Sequence, residues 1–252
     1  MIIYLCEDRA EHILSAVYDA WADPHPNREI EIRVGGLSQF SFTDSFIEAE
    51  NSYEKAMKVL DSVRRKLGAM AEQEVLGILS ANADDKADTL FRFLQYAFRA
   101  KNKGRDVSFD MTEPAVMRAF ELNRKSRNEV HLMLGFTRFE KLSNGVYFSK
   151  IGPVNDVLPL IADHFAERFN TQPFIIYDEK RLRSVVYQPG MNWYFVEGRV
   201  DLPEAGLTLS DDYERLWKTF FNTIAIKERM NPLCQRTHCP LHFRTYMTEF
   251  MQ

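Results

Sequence analysis

Apolar residues recur at two periods along this chain, and the period changes where the elements change. Ile2 to Cys6 is a short apolar run that reads as a buried strand, ended by Glu7 and Asp8. Ile13, Leu14, Val17 and Trp21 then recur at helical spacing, so residues 9–22 predict an amphipathic helix that Pro24 and Pro26 stop. Glu29 to Val34 alternates charged with β-branched side chains and closes on Gly35-Gly36, the pattern of a half-buried strand. The opening is therefore β-α-β. Residues 44–130 show no comparable strand. Apolar positions at Ala56, Val59, Leu60, Val63 and Leu67 mark one helix, and Val75, Leu76 and Leu79 a second. Leu90, Phe91, Leu94 and Phe98 mark a third, and Val116 to Asn128 a fourth, which makes a helical block.

The period then shortens. His131 to Glu140 reads as a strand, Ser143-Asn144-Gly145 as a turn, and Val146 to Ile151 as the returning strand of a hairpin. Residues 154–169 predict a helix with Val157, Leu158, Ile161, Phe165 and Phe169 inward. Phe174 to Tyr177 and Arg183 to Tyr187 read as a second strand pair, with Trp193 to Val200 as one more candidate strand. Tyr213, Trp217, Phe220, Phe221 and Ile224 stripe a helix running to Arg229, and Asn231-Pro232 breaks it. The expected fold class is α+β: an antiparallel sheet with a β-β-α-β-β core, an N-terminal β-α-β element and a helical block. No repeat, low-complexity tract or Gly/Ser linker interrupts residues 1–252, which favours one integrated body; a subdivision would fall at 1–130 and 131–252.

Composition narrows the function classes. Hydrophobic residues make up 45% and charged residues 27%, an ordinary globular balance, and the 19 Phe and 10 Tyr predict an aromatic-rich core. A net charge of −4 disfavours coating nucleic acid with the whole surface, although a local basic groove needs only a few aligned cations. No apolar run approaches the ~20 residues needed to span a bilayer, and the opening run lacks a basic leader, so a cytoplasmic protein without a membrane partner is expected. The three cysteines, Cys6, Cys234 and Cys239, make no disulfide framework.

Candidate chemistry is sparse. No G-x-S-x-G, P-loop, G-x-G-x-x-G or radical-SAM-type C-x-x-x-C-x-x-C occurs, so no cofactor is expected. Cys234, His238, Cys239 and His242 are suitable zinc ligands in type, but their crowding in one short loop argues for no metal. Two basic stretches stand out: Arg92, Arg99, Lys101, Lys103 and Arg105, then Arg118, Arg124, Lys125 and Arg127. Each reads as a solvated face or as a phosphate-tracking groove. On the expected 132–140 strand, Arg138 shares a face with Leu132, Leu134, Phe136 and Glu140. A guanidinium in that setting is either paired with an acid or reaching for an anion, with Asp178 and Arg181 as neighbours. Arg138, Arg181, Arg229 and Arg236 form the candidate nucleic-acid-binding set. His131, Asp178 and Arg181 are the candidate acid, base and anion clamp should the protein be an enzyme.

Several runs carry a resemblance. His131-Leu-Met-Leu-Gly-Phe-Thr-Arg-Phe139, His164-Phe-Ala-Glu-Arg-Phe169 and Ile176-Tyr-Asp-Glu-Lys-Arg181 resemble segments of a bacterial family called "probable DNA metabolism protein". So do Trp217-x-x-Phe220, Ile224-Ala-Ile226, Arg229-x-Asn231-Pro232, Gln235 and Met247-x-Glu249-Phe250, in matching order. Cys239 departs from the family, standing where an apolar residue is expected. The resemblance implies a role in DNA repair or metabolism beside a radical SAM protein, with related domains fused to uracil-DNA-glycosylase-like domains. Three functions are compatible with it: a DNA-binding accessory, an enzyme on a damaged base or nucleotide, and a scaffold docking the radical SAM partner through aromatics at Phe243, Tyr246 and Phe250.

Overall fold

Alternation at Ile30-Glu-Ile-Arg-Val34 and the apolar run Ile2–Cys6 produce two strands that pair in parallel, as a β-α-β unit requires. The structure is a computed structural model that describes residues 1–24, 29–35, 44–102, 110–200, 212–224 and 231–250. It is α+β throughout, and the chain divides into two compact units, Met1–Arg127 and Asn128–Gln252. Among the described residues no helix is long and apolar enough to cross a membrane.

In the first unit β1 (Ile2–Cys6) is the central strand, flanked by β2 (Ile30–Val34) and β3 (Ser45–Glu48), all parallel. β3 was not expected. It is four residues long and largely exposed, too short for alternation to register. α1 (Ala10–Trp21), α2 (Tyr53–Leu67), α3 (Ala69–Ser80) and α4 (Lys86–Asn102) follow the predicted stripes. With Val116, Ala119 and Leu122 of α5 (Pro114–Phe136) they enclose a core around Ile13, Val17, Val63, Ile78, Leu90 and Leu94.

The second unit holds a five-stranded sheet in the order β4 (Glu140–Lys141), β5 (Tyr147–Ile151), β6 (Phe174–Asp178), β7 (Arg183–Tyr187), β8 (Tyr194–Glu197). The expected β-β-α-β-β succession is present, and the sheet is mixed. α6 (Leu158–Arg168) carries the chain across from β5 to β6, so that pair is parallel while the other three are antiparallel. Gly145, at φ 86°, occupies the left-handed position that the β4–β5 turn demands. α6 covers one face, burying Leu158, Ile161 and Phe165 against Ile151, Phe174, Ile176 and Val185. α7 (Asp212–Ile224), α8 (Pro232–His238), α9 (Leu241–Arg244) and a 3-10 turn at Thr248–Phe250 complete the described chain.

One expected strand is a helix. His131 to Phe136 belongs to α5, and only Glu140 and Lys141 are extended before the turn. The buried positions of α5 are Val116, Ala119, Leu122, Asn123, Ser126, Glu129 and Met133, a helical spacing throughout. Three of them are polar, so the apolar stripe breaks and the sequence beyond Asn128 mimics alternation. Glu129 is buried because it caps a turn: the backbone N–H groups of Val154 and Asn155 each donate to it at 2.7 Å, and the Asn155 amide donates at 2.6 Å.

A glycine pair tests this packing. A Cβ built at Gly152 would overlap the hydroxyl of Tyr246, which is tied to Glu179, whereas one at Gly135 in α5 meets open space. Gly152→Ala is expected to destabilise by about 2–3 kcal/mol. Gly135→Ala should stabilise by up to ~1 kcal/mol, because alanine is the better helix former. Thermal melts of the two variants check both signs.

Candidate functional site

A cleft of about 620 Å³ opens in the second unit. Its walls come from the C-terminal end of α5, the 137–141 segment, Tyr147 of β5, the last turn of α6 and Trp217 of α7. Apolar packing shapes its floor. Phe139 meets Phe169 at 4.6 Å and Phe165 at 5.2 Å, and Tyr147 meets Phe169 at 5.5 Å. This cluster of tilted and edge-on rings is what remains of the alternation that suggested a longer strand.

Arg138 and Glu249 fix one wall. The two are 111 residues apart in sequence and form a fork-to-fork pair, Nε to Oε2 at 3.2 Å and Nη2 to Oε1 at 2.8 Å. A third donation, from Arg138 Nη1 to the Gly135 carbonyl at 2.7 Å, spends another guanidinium N–H. The guanidinium lies 5.5 Å from the Trp217 ring centre, and the Trp217 indole N–H hydrogen-bonds the same Glu249. Burial alone would raise the Glu249 carboxyl, but the hydrogen bond and charge of Arg138, a backbone donor and Trp217 outweigh it and hold the group below its ordinary range. Trp217 is thus clamped at the cleft while 40% exposed.

Two further cations reach the cleft. Arg168 ends α6 with its side chain exposed, and among the described residues it makes no ion pair. Lys141 leans over the Tyr147 ring, 6.0 Å from its centre. Cationic groups beside exposed ring faces are the elements from which proteins hold single-stranded nucleic acid: phosphate on the cations, a base on a ring.

The other expected site residues fall elsewhere. Asp178, fully buried at the end of β6, pairs with Arg181 at 3.1 Å. Arg181 also donates to the Val154 carbonyl at 2.7 Å and to that of Pro153 at 3.4 Å, so its guanidinium ties the β6–β7 turn to the segment after β5. Burial pushes the Asp178 carboxyl up, and Arg181 with the backbone N–H groups of Lys180 and Arg181 offsets this only in part. His131 is exposed on α5, and no hydrogen bond or ion pair joins it to Asp178 or Arg181. Arg236 is exposed on α8, and Arg229 lies outside the described residues.

Of the two basic stretches, Arg92 pairs with Asp88, Arg118 with Asp85 and Glu121, and Arg127 with Glu74. Lys103 and Arg105 lie outside the described residues. Cys234 Sγ and His238 Nδ1 approach to 3.6 Å, but Cys239 turns its sulfur to Met247 at 3.7 Å. Among the described residues no three His, Cys, Asp or Glu side chains converge as metal ligands. Of the aromatics expected to dock a partner, Phe243 is a core residue, Tyr246 is half-buried and bonded to Glu179, and Phe250 is exposed; Leu216, Trp217 and Phe220 of α7 are exposed as well.

Residues 84–249 match the model of a family described as a domain of unknown function, DUF4130. No curated protein matches the sequence. Among solved structures the chain is similar to a DHH domain titled a member of the s1p family of ribosomal proteins. That likeness covers 75% of this chain and 74% of the other at 10% identity, with a TM-score of 0.31, too low to carry an argument.

Proposed function

The chain belongs to the DUF4130 family, a domain of unknown function, and from that starting point we propose that it is a nucleic-acid-binding accessory protein acting through the α5–α6–α7 cleft. The observation that carries this reading is the meeting of Arg168 and Lys141 with the exposed Trp217 ring and the half-buried Tyr147 ring around one cavity. The cations that bear the phosphate are Arg168 and Lys141. Arg138 is a positioning residue, since Glu249 already neutralises it and the pair instead orients Trp217. Arg181 takes no part, its donors being committed to Asp178 and two carbonyls. A cleft of this size suits one or two unstacked nucleotides better than the continuous cationic stripe a duplex needs. The resemblance adds a catalytic partner, a radical SAM protein to which the bound strand would be presented, and that part of the reading rests on the resemblance alone.

Titration of a fluorescently labelled oligothymidylate against the full chain tests the reading by anisotropy. The strand is expected to bind at low salt with a log–log salt slope of about −1.4, the value for two cations on a single strand, and the matching duplex more weakly. An oligonucleotide that stays free at low salt removes the proposal.

A further inference from the structure

The first unit contains a second concave site, in the groove among α1, α2 and α4, enclosing about 460 Å³. Val17, Val59 and Leu94 form its apolar floor, and Tyr18, Trp21 and Phe98 its ring walls. Trp21 meets Phe98 edge-on at 5.3 Å and Phe91 at 6.2 Å, so the indole is anchored. Even so, 48% of it remains exposed, which leaves a large apolar surface facing the groove.

Two ammonium groups stand at the rim, Lys58 with Nζ 5.8 Å from the Tyr18 ring centre and Lys66 5.7 Å from that of Phe98. Glu54 neutralises Lys58 at 2.7 Å. Lys66 makes no ion pair among the described residues, so of these two ammonium groups only Lys58 is neutralised there. Beyond the slot α2 exposes mostly charged side chains, Glu54, Asp61, Arg64 and Arg65, with Tyr53 the exposed ring at its first turn. A docking protein would need a wider apolar face than that. A small ligand needs only the slot.

We propose that this groove binds a small aromatic carboxylate, its ring system laid against the joined Trp21 and Phe98 rings over the aliphatic floor and its carboxylate on Lys66. The ring walls select a flat body, and the single unspent ammonium selects an acid over a neutral isostere. This site is independent of the nucleic-acid reading and stands or falls separately from it.

Isothermal titration calorimetry of the full chain with naphthoate, and with naphthylmethanol as the neutral isostere, is the test. Naphthoate is expected to bind saturably at one site, and the alcohol about fivefold more weakly, the size of one partly exposed charge pair. Lys66→Glu, at an exposed position, should weaken naphthoate about fivefold or more while leaving the melting temperature in place. Val59→Trp should block the slot. Equal affinities for acid and alcohol, naphthoate binding unchanged in Lys66→Glu, or no saturable heat up to millimolar ligand would each overturn the proposal.

Discussion

Glu249→Ala lowers the stability of the second unit by about 3 kcal/mol, which for a unit of this size moves the melting temperature by roughly 10 °C. The Glu249 side chain is 2% exposed and receives two Arg138 donors and the Trp217 indole. Its removal strands a largely buried guanidinium, which costs far more than a surface pair is worth. The double variant Arg138→Leu/Glu249→Leu should recover most of the loss, since neither charge is then left alone. A single variant no less stable than the wild type would show that the fork contributes nothing.

The pair also fixes the acid limb of stability. Because Glu249 titrates below its ordinary value in the fold, its contribution is complete above the unfolded value of ~4.3 and is lost as pH falls through the lowered folded value. Asp178 acts in the opposite sense. Its carboxyl is raised in the fold, so between the unfolded value of ~3.9 and the higher folded one, acidification favours the native state. Denaturant melts from neutral to acid pH therefore should lose their steep acid drop in the double leucine variant. Asp178→Asn should instead remove a stabilising rise on mild acidification.

Arg168→Glu with Lys141→Glu abolishes oligothymidylate binding at moderate salt and leaves the fold intact. Both side chains are exposed, so their reversal costs little stability. Each substitution replaces a phosphate contact with a repulsion, and the pair should weaken binding by about a hundredfold at low salt. Arg236→Glu, on the exposed face of α8, is the control and should leave affinity within about twofold. If the control and the cleft variant weakened binding equally, the cations would be acting through overall charge and the cleft would have no special part.

The sequence made much of the fold legible where burial and hydrophobicity coincide. β1, α1, β2 and the strands β5 to β7 follow from apolar spacing, because apolar residues hold most of their buried positions and the buried polar ones, Ser15, Ser149, Asp178 and Ser184, are isolated among them. The reading failed where polar side chains take several successive inward positions. Asn123, Ser126 and Glu129 occupy the inward face of α5, and without them the helix appeared to stop and a strand to begin at His131. That error placed Arg138 on a sheet face, beside the expected Asp178 and Arg181.

The cleft was harder to see. Arg138 and Glu249 both lie in the runs that carried the resemblance, but nothing local links positions 111 residues apart. Trp217 looked like one more apolar residue of an amphipathic helix, and only its exposure and its hydrogen bond to Glu249 mark it out. Arg168 had no signal beyond being a basic residue in the last turn of a helix, a common position that favours the helix dipole.

The most direct measurement is made on Trp217 itself. In a Trp21→Phe/Trp193→Phe background it is the sole indole, and the oligothymidylate titration can be followed by its fluorescence. A base seated on the ring should quench the emission saturably, with a midpoint matching the anisotropy curve and a reversal on adding salt. Binding seen by anisotropy with no change at Trp217 would contradict the account, because the strand would then lie somewhere other than this cleft.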